Sequence, residues 1–372
     1  ISLITAMNLD AYRFNPAWAR IEPTRDAIDM AALQHYDDFI DQLVAADLKP
    51  MLTVHHFSSP IWIDDFREPG CSGTGDTDLC GWNGPRADEV IAKLAEFAGL
   101  LAARYGDRVD EWVTLNEPVN YLLASHGLTD FPPGANLLIG NGPKFVDVVR
   151  NYVRAHVAIY EAIKANDTVD ADGDGQAAIV GYTLNTIEFI PARDNVVSDD
   201  PEDVSAAERL TYVYNYLITD SLRNGTFDAN LDGITDETHE DWRDHLDFLG
   251  VQYYSRNGVT GQFPLIPFVR ATPCFDPFDL GACVQTVDET HYIPEMGYEF
   301  AELALFNILM AFGDRWPDLP LTITESGVAT NVGTRRAEHI VRSIEQIERA
   351  RRRGVDIRGY YHWSLMDNFE WA

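Results

Sequence analysis

The sequence predicts an α/β chain of the (β/α)8 TIM-barrel class, and three observations carry that reading. Segments of strand character alternate with segments of helical period from one end to the other, the pattern of parallel βα units. No internal repeat and no linker divides the chain, whose 372 residues suit one large barrel as well as two average domains. Two of the strand-like runs, Leu321–Thr324 and Glu111–Asn116, lead directly into glutamates, Glu325 and Glu117. The C-terminal strand ends of a parallel barrel hold its active site, so such carboxylates are candidates for chemistry.

The chain opens on what reads as the tail of a helix. Strands are expected at Ala11–Phe14, Pro50–His55, Glu111–Asn116, Ala178–Leu184, Phe248–Tyr253, Leu321–Thr324 and Ile357–Trp363, each a short apolar or β-branched run. Between them lie amphipathic stretches. Ala31–Ala46 sets Leu33, Tyr36, Ile40, Leu43 and Val44 on one side, and Ala87–Tyr105 does the same with Val90, Leu94, Phe97 and Leu101. Phe145–Ala165, Ala206–Asn224, Ala301–Gly313 and Arg335–Gly354 complete the set, the last closing on arginines before Gly354 as a helix C-terminus favours. That gives seven strands, and the last is followed by no helix. Residues 1–372 are therefore expected to form a single barrel domain lacking its first strand and last helix.

Bulk properties narrow the function classes. A net charge of −31 disfavours nucleic acid and anionic membrane surfaces as partners, and no run approaches the length of a membrane span. The four cysteines fall into local pairs, Cys71/Cys80 and Cys274/Cys283, each bracketing a Gly/Asp-rich loop. Read as disulfides they place the protein outside the cytoplasm, extracellular or periplasmic; read as thiols they say nothing of compartment. Histidines at zinc-site spacing are absent. Two loops, Asp170-Ala-Asp172-Gly-Asp174-Gly175 and Asp228-Ala-Asn230-Leu-Asp232-Gly233-Ile-Thr-Asp236, show oxygen ligands at alternate positions followed by glycine. That is the front half of an EF-hand-type loop. His239 stands at the twelfth position of the second loop, where a glutamate would complete it. Asp228, Asn230, Asp232 and Asp236 are thus either a structural calcium site or a solvated acidic turn.

The paired glutamates suggest glycoside hydrolysis, in which one carboxylate attacks the sugar carbon and the other protonates the departing oxygen. A retaining mechanism needs the two carboxyl groups about 5–5.5 Å apart, a spacing that keeps one of them protonated near neutral pH. Other residues at expected strand ends suit the same site. Arg13 and Tyr254 could hold Glu325 ionised, His56 follows the strand ending at His55, Glu370 could bond hydroxyls, and Trp363 and Trp371 offer flat faces to a sugar ring. Singly each has a plain structural explanation: a surface ion pair, a core histidine, core packing.

Six motifs in order bring these residues together: Tyr12-Arg-Phe-Asn-Pro-Ala-Trp-Ala-Arg-Ile21, Thr53-Val-His-His56-Phe-Ser-Ser-Pro60, Thr114-Leu-Asn-Glu117-Pro118, Asp247-Phe-Leu-Gly-Val-Gln-Tyr-Tyr254, Ile323-Thr-Glu325-Ser-Gly327 and Trp363-Ser-Leu-Met-Asp-Asn-Phe-Glu370-Trp371. Along nearly its whole length the sequence resembles the beta-glucosidase family, the family-one glycoside hydrolases. The resemblance implies a (β/α)8 barrel that cleaves β-glycosidic bonds with retention and needs no cofactor for the chemistry. It implies Glu117 as acid/base and Glu325 as nucleophile. It further implies that His56, Asn116, Trp363, Glu370 and Trp371 bind the sugar, and that Arg13 and Tyr254 support the nucleophile. The family's first-strand glutamine has no counterpart here, and Phe57, Gln252 and Ser326 replace its usual tryptophan, asparagine and asparagine. Tyr298 replaces a common tryptophan and is expected as a platform for the leaving group. Glu370 points to an unphosphorylated sugar. The expected protein is a secreted or periplasmic, exo-acting β-glucosidase acting on small β-glycosides or oligosaccharides, with β-galactosidase or β-fucosidase side activity. A transglycosylase on the same site and a non-catalytic sugar-binding protein of the same fold are the alternatives.

Overall fold

The computed structural model describes residues 1–67, 78–128, 130–266, 268–275, 279–286, 292–293, 296 and 298–368. The chain packs as two compact units. The first comprises Ile1–Thr183, Ser221–Gly225 and His239–Phe248, and the second Leu184–Asp220, Thr226–Thr238 and Leu249–Ala372.

In the first unit, a short helix at Ser2–Ala6 precedes β1, Ala11–Phe14. Helix α1, Met30–Ala45, starts where the Asp29 carboxylate accepts from the amides of Ala31 and Ala32, satisfying donors that a helix start leaves open. It is followed by β2, Lys49–His55, then α2, Ala87–Tyr105, then β3, Glu111–Asn116. Helix α3, Gly142–Asn166, leads to β4, which begins at Ile179 and runs to Arg193. The strands pair in parallel in the order β1-β2-β3-β4, each joined to the next by a crossover connection. Met51, Leu52 and Val54 of β2, Trp112, Val113 and Leu115 of β3 and Val180 and Tyr182 of β4 are buried, while β1 is half-buried throughout; with them is buried one stripe of each helix, Leu33, Ile40 and Leu43 from α1, and Val90, Leu94, Phe97 and Leu101 from α2. Gly181 in β4 is a tight point: a Cβ there would lie 2.3 Å from the carbonyl oxygen of Phe248.

In the second unit β4 continues to Arg193, and helix α4, Pro201–Thr211, is capped by Asp200. Strand β5, Phe248–Thr260, lies beside β4, with Thr186 Oγ1 donating to the carbonyl of Gln252 at 2.7 Å. Helix α5, Glu302–Arg315, strand β6, Leu321–Ser326, helix α6, Gly333–Arg351, and strand β7, Ile357–Tyr360, follow. Strands β5, β6 and β7 pair in parallel.

Three features depart from the sequence expectation. The single helix expected at Ala206–Asn224 is interrupted by a π-helical turn at Tyr212–Tyr216. There the side chain of Asn215 bonds both backbone groups of Ile187, a placement that the extra residue in the turn permits. Strands β4 and β5 run past their expected ends and carry an extension. Val196–Val197 pairs antiparallel with β4, and Thr272–Pro273 with the end of β5, around a small core that includes Ala206, Leu210, Val259 and Ala271. The expected Cys274–Cys283 disulfide closes a loop of this extension. Cys80 is also disulfide-bonded; its expected partner Cys71 lies outside the described residues. Finally, β7 ends at Tyr360, although the amides of Tyr361 and Trp363 still donate to the carbonyls of Ile323 and Ser326. Among the described residues no helix is long and apolar enough to cross a membrane.

Candidate active site

Four of the expected site residues stand at the C-terminal ends of β1, β2 and β3 in the first unit. The guanidinium of Arg13 donates to Thr53 Oγ1 at 3.0 Å and to the side-chain oxygen of Asn116. It thereby ties the first strand to the two beside it. Asn116 is fully buried, and Glu117 follows it at 4% exposure. At Glu117 the backbone turns left-handed, with φ 43° and ψ 61°, a conformation costing a non-glycine residue of order 1–3 kcal/mol and often found at functional sites. The turn is held on both sides. The Glu117 amide donates to the carbonyl of Thr183 at 2.9 Å, and Pro118 opens a short helix, Pro118–Leu122, at the position where its missing N–H is harmless. The side-chain Nδ2 of Asn120 donates to Glu117 Oε2 at 2.9 Å.

His56 lies at the end of β2. Burial, with the Arg13 cation and His55 as neighbours, pushes its imidazole down to about 3, so at working pH it is a neutral ring with one donor and one acceptor nitrogen. Behind it, His55 is fully enclosed, with Tyr152 Oη and Ser59 Oγ at 2.9 and 3.1 Å from its two nitrogens. Phe57, also left-handed at φ 69°, stacks on Tyr121 with ring centroids 5.6 Å apart.

In the second unit, Glu325 is the penultimate residue of β6 and is 4% exposed. The hydroxyl of Tyr254, from β5, donates to Glu325 Oε2 at 2.7 Å, the length of a charge-assisted bond. Next to it the chain has no room for a side chain. A Cβ on Gly327 would sit 1.9 Å from the carbonyl oxygen of Trp363. Trp363 is therefore pinned against the turn that follows Glu325. Glu370 and Trp371 lie outside the described residues, as does the side chain of Tyr298, whose backbone forms a two-residue strand with Glu299.

Three polar residues in these clusters were not singled out from the sequence: Thr53, Thr183 and Asn120. Asn120 carried a readable signal, since it stands one turn after Glu117 across the helix start. Thr53 and Thr183 depend on pairing register, which the sequence does not display.

The acidic loop Asp228–Asp236 lies between Phe227 and Glu237. Asp228 is fully buried, and its carboxylate accepts from the amides of Asn230, Asp232 and Gly233, while Asn230 Nδ2 donates to Asp236 Oδ2 at 3.0 Å. Among the described residues, three carboxylates with oxygens within 4.8 Å of one another occur at Asp110, Asp170 and Asp172, where the other acidic loop meets the start of β3. There Lys49 already pairs with Asp172 at 2.8 Å.

The model of glycosyl hydrolase family 1 matches residues 1–372. The chain belongs to that family. Among its family 1 relatives, a beta-galactosidase of Pyrococcus woesei is 28% identical over 98% of this chain and 76% of its own length. A bifunctional beta-D-glucosidase/beta-D-fucosidase of Bifidobacterium breve is 28% identical over the whole chain and 78% of its own. In structure, the chain is similar over its whole length to a beta-glycosidase from Pyrococcus horikoshii, with a TM-score of 0.78, 26% identity and 74% of that protein covered. A beta-glucosidase from Thermotoga maritima, in complex with deoxynojirimycin, gives 0.78 at 24% identity with 77% covered and shows the shared fold. The fold class is accordingly (β/α)8, and this family 1 member is a glycoside hydrolase acting on β-glycosidic bonds.

Proposed function

We propose that this family 1 enzyme is a retaining, exo-acting β-glucosidase with Glu325 as nucleophile and Glu117 as acid/base. The observation that supports it most is Glu325 itself: a buried carboxylate at a parallel strand's C-terminal end, receiving the Tyr254 hydroxyl at 2.7 Å. That bond fixes the orientation of the carboxylate, which a nucleophile needs. Glu325 attacks the anomeric carbon while Glu117 protonates the leaving oxygen. Glu117, now a carboxylate, then takes a proton from water, whose oxygen attacks the glycosyl-enzyme ester and releases the sugar with its original β configuration. Asn120 and the left-handed turn hold Glu117, and Arg13 orders Asn116 beside it.

His56, Asn116, Trp363, Glu370 and Trp371 are proposed to hold the sugar in the cleaved position, with Tyr298 under the leaving group. Arg13 is proposed to act on the nucleophile as well. Relatives named for glucose, galactose and fucose support a site tolerant at the hydroxyls of carbons 4 and 6. The Cys274–Cys283 bridge supports an extracellular or periplasmic setting, and residues 1–372 are proposed to act as one catalytic domain. Rates on nitrophenyl β-glycosides and cellobiose, with the anomer of the first-formed sugar read by NMR, test this. β-Glucose released first is expected; α-glucose first would contradict retention, and absence of turnover on the whole panel would contradict the substrate class.

The loop Asp228–Asp236 is proposed to take calcium in a purely structural role. Its donor oxygens are of the hard type that calcium prefers, and burial raises the Asp228 carboxyl above its usual range, a cost that a cation would offset. A chelator should lower the melting temperature, calcium should restore it, and Asp232→Asn should remove the response. An unchanged melting temperature would leave the loop as an acidic turn.

A further inference from the structure

His55, the last residue of β2, is 1% exposed and sits in a cage of rings. Trp82, Tyr121 and Tyr152 stand edge-on to it, with centroids 6.1, 5.6 and 6.1 Å away. An apolar ring would fill this cage without the cost of burying two nitrogens. Both nitrogens are nevertheless engaged, by partners from different parts of the chain. Tyr152 Oη, from α3, lies 2.9 Å from Nδ1, and Ser59 Oγ, from the segment after β2, lies 3.1 Å from Nε2.

The direction of these bonds follows from what Tyr152 lacks. Its hydroxyl is buried and has no other acceptor among the described residues, so it gives its proton to Nδ1. Burial keeps the imidazole neutral at working pH; its own proton therefore sits on Nε2 and is donated to Ser59 Oγ.

Ser59 closes the turn on which His56 stands. Within that turn the amide of Ser58 donates to the His56 carbonyl at 2.9 Å, and Phe57 is left-handed at φ 69°, a conformation that persists only where its surroundings hold it. Here it is held from two sides. Ser59 is tied to His55, and the Phe57 ring lies flat on Tyr121 with 6° between the planes. Tyr121 stacks in turn on Tyr152 at 5.6 Å, and its amide donates to the carbonyl of Glu117 at 2.9 Å. The turn carrying His56 and the helix after Glu117 thus share one support, and the Tyr152–His55–Ser59 chain is its polar link.

We infer that His55 is a positioning residue for His56: its bridge from Tyr152 to Ser59 fixes the turn that presents His56 to the sugar. This rests on His56 holding a sugar hydroxyl in the cleaved position. A contact that tightens in the transition state loses its value when the side chain making it shifts by a fraction of an ångström. The loss then falls on that one hydroxyl, whereas a general loosening of the fold falls on all of them.

The test measures kcat/KM on nitrophenyl β-glucoside and on its 2-, 3-, 4- and 6-deoxy analogues for the parent, His55→Phe, Tyr152→Phe, Ser59→Ala and His56→Ala. His56→Ala marks the hydroxyl that His56 holds, because its deficit against the parent shrinks on the analogue lacking that group. His55→Phe is expected to lower kcat/KM on the intact glucoside about five- to twentyfold and to stay within about twofold of the parent on the marked analogue. A folded His55→Phe within twofold of the parent on the intact glucoside would overturn the inference, and so would a loss of equal size on all five substrates. If His55→Phe does not fold, Tyr152→Phe and Ser59→Ala, each removing a single hydroxyl, should lower kcat/KM about two- to fivefold on the intact glucoside and not on the marked analogue. A loss absent from both of them, or equal across the substrates, would overturn it. A His56→Ala that marks one hydroxyl, beside a His55→Phe that does not share it, removes this inference alone, while a His56→Ala that marks none removes the reading beneath it.

Discussion

At the scale of single residues, the proposed chemistry rests on a few short bonds around two buried carboxylates. Tyr254 gives Glu325 a 2.7 Å hydrogen bond, and removing a partner of a charged group costs about 1.5–3 kcal/mol. Tyr254→Phe should therefore lower kcat about 10- to 100-fold on aryl β-glucosides while altering KM little; steady-state kinetics would check this, and a KM effect with normal kcat would contradict it. Both glutamates were legible in the sequence because each follows an apolar strand-like run at the position where a barrel places its catalytic groups. Tyr254 was legible through its motif. The partners of Arg13 were not, because its reach to Thr53 and Asn116 depends on how three strands are aligned, with Arg13 opposite Met51 in β2 and Met51 opposite Glu111 in β3. The left-handed backbone at Glu117 was also hidden. Pro118 announced a break in the strand but not the direction of the turn before it.

Among the elements, the expected strands and helices formed apart from Ala206–Asn224, which a π-turn divides, and the last strand, which stops at Tyr360, because hydrophobic periodicity records which face of each segment is buried. What periodicity cannot record is where a strand stops when its continuation is half-exposed. This is the reason β4 and β5 ran on to Arg193 and Thr260 without warning. It also cannot show a π-turn, since one extra residue in a helix shifts the pattern too little to see. Close backbone approaches are equally silent, although a glycine inside a strand hints at them. Gly181 has such an approach, with Phe248 O 2.3 Å from where a Cβ would be. Gly181→Ala must push the two chain segments apart and is expected to cost about 1–3 kcal/mol, read as a lowered denaturation midpoint. A stability equal to the parent would mean that the contact relaxes freely.

For the whole molecule, buried imidazoles set the response to acid. Burial pushes His55, His126 and His156 down to about 4, and His56 and His339 to about 3. The unfolded chain takes up protons at these histidines near pH 6.5, whereas the folded chain refuses them until near pH 3–4. Their contribution to stability is thus complete above about pH 6.5 and drains away as the pH falls toward 4. Asp64 and Asp167 act in the opposite sense. Burial raises both to about 6, so folding gains from their protonation as the pH drops through that value. Five histidines outweigh two carboxyls. The melting temperature should fall by at least about 5 °C between pH 7.5 and pH 5, measured at constant salt; a flat or rising profile would contradict the burial of these rings. The net charge of −31 adds self-repulsion that salt screens, so sodium chloride should raise stability at pH 7.5. The acidity was plain in the sequence, but which histidines are enclosed was not, because a histidine carries no sign of its depth.

The central claim is that Glu325 forms the bond to the sugar, and replacing that residue tests it most directly. Glu325→Gly should hydrolyse nitrophenyl β-glucoside several orders of magnitude more slowly than the parent, and sodium azide should restore turnover by entering the space left by the carboxylate and giving the α-glucosyl azide. A Glu325→Gly enzyme that keeps its rate, or an azide product of β configuration, would show that another group attacks the sugar.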